Sequence, residues 1–189
     1  LCGIPMTDLR DNRSYPTILI GSQCWLAKNL NYGTMISSAS TQDDNCVVEK
    51  YCPGDMASGC ATFGGFYQWD ELMAFDASPG AQGLCPPGWH VPAVAEWLTL
   101  LNYYGQQSQA GLSLKAPAPG GFNALLSGIL YQNNTWALLS GGVSATFFWT
   151  STASGALQAV SHGLNNLNAS VSDYPANRGN GMAVRCLHD

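Results

Sequence analysis

Asparagine, serine, glycine and tyrosine crowd the stretch GLNNLNASVSDYPANRGN at residues 163–180, and the chemistry of these side chains is recognition. Tyrosine brings amphipathic contact area at low entropic cost, and small polar residues adapt their hydrogen bonds to a partner. Ser161, Gly163, Asn165, Asn166, Asn168, Ser170, Ser172, Asp173, Tyr174 and Asn177 are the candidate contact residues there. Upstream, Tyr131, Asn133, Asn134 and Trp136 have the same character and would extend the surface, with Trp136 as an anchor for a sugar or a protein.

Patterns that carry catalysis are missing. The sequence has no G-x-S-x-G elbow, H-E-x-x-H helix or phosphate-binding loop. Asp70 and Glu71 are adjacent within an expected helix, so they face different directions and cannot act as a paired acid and base. His162 and His188 have no partner at metal-ligand spacing, which gives zinc no support. His90, between Trp89 and Val91, reads as a structural histidine that hydrogen-bonds its turn. We therefore expect a protein that is not an enzyme and needs no cofactor. Calcium alone stays open, through the loose oxygen cluster Asp43, Asp44 and Asn45.

Composition narrows the partners. Seven Lys plus Arg against twelve Asp plus Glu give a net charge of -5. Nothing in that balance forms the basic stripe that nucleic acid requires. Only 10% of residues are charged while 46% are hydrophobic, which favours a packed core over disorder. No run of roughly eighteen apolar residues offers a membrane span, and the first residues lack the charged-then-apolar form of a signal peptide. Seven cysteines point to an oxidising, extracytoplasmic setting, and the odd number leaves at least one thiol over. Three short N-glycosylation patterns begin at Asn12, Asn133 and Asn168 and carry little weight.

These residues must be positioned by surrounding elements. Short strands are expected over residues 15–21 and 23–30, followed by a long loop over 35–60 that needs staples. Phe66, Trp69, Leu72, Met73 and Phe75 recur at three- and four-residue steps, which predicts a helix over 66–75. A second helix is expected over 94–104, with Trp97, Leu98, Leu100 and Leu101 on its buried side. Cys85-Pro86-Pro87-Gly88 suits a fixed turn between the two. After a Gly/Pro/Ala linker at 116–121, strands are expected over 122–131, 145–152, 156–164 and 182–187. Helices and strands are grouped rather than alternating, which is an α+β pattern in one domain over 1–189. Trp25, Trp69, Trp89, Trp97 and Trp149 fall in apolar segments and are assigned to the core.

Six separated words carry a resemblance: DLRDNRSYPTILIGSQCWLAKNLNYGT, EKYCPGDMASGCATFGGFYQWDELMAF, CPPGWHVPAVAEWLTLL, FNALLSGILY, FFWTST and GMAVRCLHD. In order and spacing the chain resembles the Fibrobacter succinogenes major paralogous domain over nearly its whole length. That family looks like a member of the C-type lectin fold group, which also includes the formylglycine-generating enzymes. Departures are modest: Ala93 stands where the family usually offers a helix-capping serine, and Cys2 and Cys46 are less regular positions. The resemblance implies a Cys52–Cys60 bridge closing a short loop and a Cys85–Cys186 bridge closing a long one. Of the remaining Cys2, Cys24 and Cys46 we favour Cys2 with Cys24, although the sequence leaves that connectivity open.

For function, the resemblance implies that the stretch before the final strand lies on an exposed face while residues 181–186 run through the core as a fixed frame. The same fold hosts the variable proteins of diversity-generating retroelements, which rewrite template adenines and so spread asparagine codons into many residues. The expected protein is an extracellular or cell-surface receptor or adhesin of C-type lectin-like fold, with two helices, a mostly antiparallel sheet and disulfide-stapled loops. Its ligand would be a protein or glycan. The alternatives are the head subunit of a pilus or other fibre, whose patch is a subunit interface, and a calcium-dependent glycan-binding lectin.

Overall fold

The final segment of the chain alternates between two sides. Met182, Val184 and Cys186 pack into one buried cluster with Leu26, Tyr67, Trp69, Trp89 and Trp149. Ala183 and Leu187 face a second cluster with Trp25, Trp97, Leu100, Phe122 and Phe148. Period-two alternation in an extended chain sends neighbouring side chains to opposite faces, so this segment separates and joins the two cores. The computed structural model describes residues 2–115, 117, 121–137 and 144–189. Most of the linker expected at 116–121 lies outside the described residues.

Strands β1 (Met6–Asp8) and β2 (Arg13–Tyr15) form a small antiparallel pair. Next, β3 (Thr17–Ile20) and β4 (Gln23–Leu26) make a hairpin in which Ile20 pairs with Gln23. Gly21 in the two-residue turn has φ 59, and a Cβ there would stand 3.1 Å from the Tyr103 ring, so both conformation and space favour glycine. Strands β5 (Thr34–Ile36) and β6 (Glu49–Tyr51) pair in parallel, and helix α1 (Ala57–Phe63) follows. These elements stand where a long loop was expected. Each strand is only three residues long, too short for its periodicity to be read.

The helix expected over 66–75 is a correction. Phe66 bridges Tyr51 and Tyr67 bridges Met182 in extended form, and only α2 (Trp69–Leu72) is helical. Ala74 and Phe75 take φ 49 and 60, and Phe75 is 45% exposed. The apolar spacing therefore reflects burial of a strand and one helical turn in succession. Strand β7 (Trp89–His90) leads into helix α3 (Val94–Tyr103), which matches the expected 94–104 closely, and a further short helix, α4 (Ala110–Lys115), follows. Glu96 accepts the Ala93 N–H at 2.8 Å, so half of a capping box survives without the capping serine.

Of the strand expected over 122–131 only β8 (Ile129–Leu130) forms, paired with β9 (Trp136–Ala137). Strands β10 (Ala145–Ala153), β11 (Gln158–Asn165) and β12 (Val171–Asn177) make an antiparallel sheet in that order. Finally β13 (Leu187–His188) lies between β4 and β7 in a four-stranded sheet. Mixed helices with mostly antiparallel sheets make this an α+β protein. Among the described residues no helix is long and apolar enough to cross a membrane.

Three disulfides close as expected: Cys2–Cys24, Cys52–Cys60 and Cys85–Cys186. Cys46 is free and exposed. The last bridge spans 101 positions, which in the chain-entropy model is worth about 4 to 5 kcal/mol. All five tryptophans assigned to the core are buried. Two of them exchange ties, since Trp69 Nε1 donates to Thr150 O at 2.8 Å and Trp149 Nε1 donates to Tyr67 O at 2.9 Å.

Trp149→Ala should therefore remove about 3 to 5 kcal/mol of stability, the usual cost of truncating a buried aromatic. Urea denaturation would read this as a lower midpoint at similar slope. A change below about 1 kcal/mol would refute the role of Trp149 as a core tie.

Candidate ligand-binding face

The three-stranded sheet builds the face from its middle outward. In β11, Ser161, His162, Gly163 and Leu164 are all buried, whereas Asp173, Tyr174 and Pro175 of β12 are exposed. Register places Phe147, Gly163 and Ser172 in one row and Trp149, Ser161 and Tyr174 in another. Phe147 and Tyr174 meet edge to face with ring centroids 6.0 Å apart. A Cβ on Gly163 would stand 2.9 Å from each ring, so glycine at this mid-strand position lets the two aromatics close over it. On the other side of the sheet the His162 ring packs 4.7 Å from Trp97 of α3.

Hairpin β8–β9 supplies the second segment. Tyr131, Asn133 and Asn134 are exposed. Asn134 N donates to Tyr131 O at 2.9 Å, and Asn134 takes φ 64, a conformation asparagine tolerates well. Trp136 is half-buried, 5.7 Å from Phe66, so it packs the hairpin as well as bordering the surface. The segment before β8 bonds β10, Gly128 N donating to Ala145 O at 2.8 Å, and in the hairpin's turn Gln132 N donates to Asn180 Oδ1 at 3.0 Å, with Gly179 N donating to Asn177 Oδ1 at 2.8 Å. Leu130 and Gly181 also exchange backbone hydrogen bonds.

The remaining candidates sit elsewhere. Asn165 Oδ1 accepts Leu167 N at 2.8 Å, and Asn168 Oδ1 accepts both Ser170 N and Ser170 Oγ. Lys115 Nζ donates to Asn165 O and Asn168 O, which ties this turn to α4. Seven residues of β12 span about 20 Å, so Asn165, Asn166, Asn168 and Ser170 lie at the opposite end of the sheet from Asn177. Ser161 and Gly163 need correction as contact residues. Ser161 is fully buried with its hydroxyl donating to Tyr174 O at 3.2 Å, and Gly163 lies beneath the aromatic pair.

Sequence reasoning missed Phe147 and Gln132. Strand alternation in Phe147-Phe148-Trp149 was the available signal, because the three cannot all face one side. The adjacent acids behave as expected of groups facing apart: buried Glu71 accepts Glu49 N at 2.8 Å, while exposed Asp70 meets Arg178 at 3.3 Å. Glu49 in turn holds Asp43 N and Asn45 Nδ2. Among the described residues no group of three His, Cys, Asp or Glu side chains is placed to hold a metal.

The sequence model of the Fibrobacter succinogenes major domain matches residues 18–188. The chain belongs to that family. No curated protein and no solved structure matches it. The family match runs from within β3 to β13 and so includes the whole candidate face, while Cys2, β1 and β2 precede it.

One short histidine–carboxylate contact underlies the face. His162 Nδ1 lies 2.6 Å from Asp173 Oδ1 in a close but bent contact between buried β11 and exposed β12. That histidine contact holds the Asp173 carboxyl below its usual range, and partial burial opposes it. A depressed carboxylate contributes stability above its ordinary pKa of 3.8, and the contribution is lost as pH falls through the lower folded value. Asp173→Asn should thus lower the melting temperature at neutral pH, with the gap to the parent narrowing as pH falls below the ordinary carboxylate range. An unchanged gap at the acid end would show that the contact contributes only packing.

Proposed function

We propose that the protein is an extracellular recognition domain of C-type lectin-like fold that binds a protein or glycan ligand. Its contact residues are Tyr174 and Asn177 on β12 together with Tyr131, Asn133 and Asn134 on the adjoining hairpin. The observation that carries this reading is the contrast between neighbouring strands: exposed Asp173 and Tyr174 of β12 stand directly opposite buried His162 and Ser161 of β11. Contact side chains are thereby presented on a support whose own side chains are committed to the cores. Tyr131 and Tyr174, 44% and 47% exposed, are the aromatic groups such a surface uses as anchors.

Three disulfides suit an oxidising environment, which favours a secreted or surface-attached protein. The asparagines of the 165–177 segment support, in addition, a variable protein of a diversity-generating retroelement. Sequencing this region across the source population tests that part of the reading. Substitutions at adenine-bearing codons of exposed positions, traceable to a template copy, would support it, and a uniform sequence would remove it.

The binding reading is tested by glycan-array and surface-protein screens with the parent chain and with Tyr174→Ala and Tyr131→Ala. Each substitution should weaken a captured ligand by about tenfold or more, as hot-spot aromatics do. Both should move the melting temperature little, because neither side chain belongs to a core. Retained binding in both variants, or a large loss of stability, would refute the assignment.

A further inference from the structure

A second site lies away from the sheet. A cleft of about 320 Å³ is formed by β2, the segment after β4 and the end of α1. That volume is at the small end of ligand-binding sites. Arg13, Lys28 and Arg185 line it, three of the chain's seven basic residues, and none of its twelve acidic residues does. In a protein of net charge -5 this is a marked segregation of positive charge. Arg13 is paired with Asp11 at 3.3 Å, but Lys28 is exposed and makes no hydrogen bond or ion pair among the described residues.

Arg185 is 2% exposed and has no carboxylate partner among the described residues. Four of its N–H groups are taken up: Nε by Asn29 Oδ1, Nη1 by Leu26 O and Phe122 O, and Nη2 by Asn123 O. A guanidinium carries five donors, so one Nη2 hydrogen is left over. Tyr15 also lines the cleft. Its hydroxyl accepts from Asn31 N at 3.0 Å, and its own hydrogen has no acceptor among the described residues. Burial raises the Tyr15 pKa to about 12, so the hydroxyl keeps that proton. Asn31, 7% exposed, holds the complementary feature, since its Oδ1 has no donor. Spare donors beside unneutralised positive charge call for an anion, and the spare acceptor calls for a hydroxyl.

We propose that this cleft binds a small hydroxylated carboxylic acid of the hexuronic acid class, with its carboxylate toward Arg185 and Tyr15 and Lys28 at the mouth. The amide and hydroxyl lining serves the sugar hydroxyls, and the missing acidic residues exclude cationic ligands. This site is independent of the β12 face, so either can fail alone.

Titration calorimetry on the intact chain at low salt tests the proposal with galacturonate, glucuronate, galactose and inorganic sulfate as probes. At least one uronate should bind saturably, galactose should not bind, and sulfate should bind more weakly than the uronate. Arg185 also holds the frame, so the variant of choice is Lys28→Gln, whose side chain bonds nothing. It should weaken uronate binding about tenfold, as for loss of a charge-assisted hydrogen bond. Tyr174→Ala should leave uronate binding unchanged. Absence of binding by both uronates, equal binding of sulfate, or indifference to Lys28→Gln would each overturn the proposal.

Discussion

The frame depends on a buried guanidinium balanced by neutral oxygens. Removing a cation from water is costly, and the cost is tolerable only where hydrogen bonds and polarizable groups replace hydration. Around Arg185 those groups come from two distant parts of the chain: Asn29 and Leu26 near β4, and Phe122 and Asn123 beyond α4. The guanidinium also lies 4.5 Å from the centre of the Phe122 ring. Burial lowers the Arg185 pKa to about 9, which leaves it charged at neutral pH. The neighbouring Cys186 is bonded to Cys85. Side chain and disulfide together fix the final segment between the two cores, one residue directing it to each side.

This arrangement explains how recognition residues can sit so close to the core without being part of it. Strand β12 is held by its ladder with β11 and by the Ser161 hydroxyl beneath Tyr174 O, contacts that involve the main chain of β12. Most of its outward side chains are therefore not required for the strand to form. Pro175 lies on this outer strand, where a missing N–H is tolerated and where it discourages pairing with another chain. Gly163 is the exception within the support: any side chain there would collide with the Phe147–Tyr174 pair. Variation at outward positions of β12 other than Asp173 is thus physically cheap, and variation on β11 is not.

Much of the frame was legible in the sequence because it depends on strong local signals. The tryptophans and α3 fall in that class, and the resemblance supplied the bridges. What escaped were segments whose hydrogen bonds are satisfied by distant partners. Residues 122–127 look like a strand by composition, but the Phe122 and Asn123 carbonyls are claimed by Arg185 and Asn123 takes φ 50. Strand β12 was hidden for the opposite reason: its polar sequence lacks a buried alternation, and its partner β11 imposes the extended form. The candidate face was legible as a composition and not as a geometry. Asparagines that read alike divide into those closing the 165–170 turn and those beside the β8–β9 hairpin, a division set by long-range pairing.

The scarcity of charge gains meaning from the same comparison. Short strands and long connections leave many main-chain groups without ladder partners, and buried ones must find them elsewhere. Here charged side chains supply several: Lys50 Nζ donates to Asn31 O, Glu71 accepts Glu49 N, and Arg10, paired with buried Asp8, donates to Leu84 O. Burial lowers the Lys50 pKa to about 8 and raises that of Glu71, so each carries the electrostatic cost of its position. These groups act as struts that rigidify loops, a use for which surface ion pairs would contribute little. Four of the nineteen charged residues, Asp8, Lys50, Glu71 and Arg185, are buried, and the exposed Tyr174 and β8–β9 hairpin present neutral polar and aromatic groups, which suit contacts that depend on shape and hydrogen bonding more than on long-range attraction.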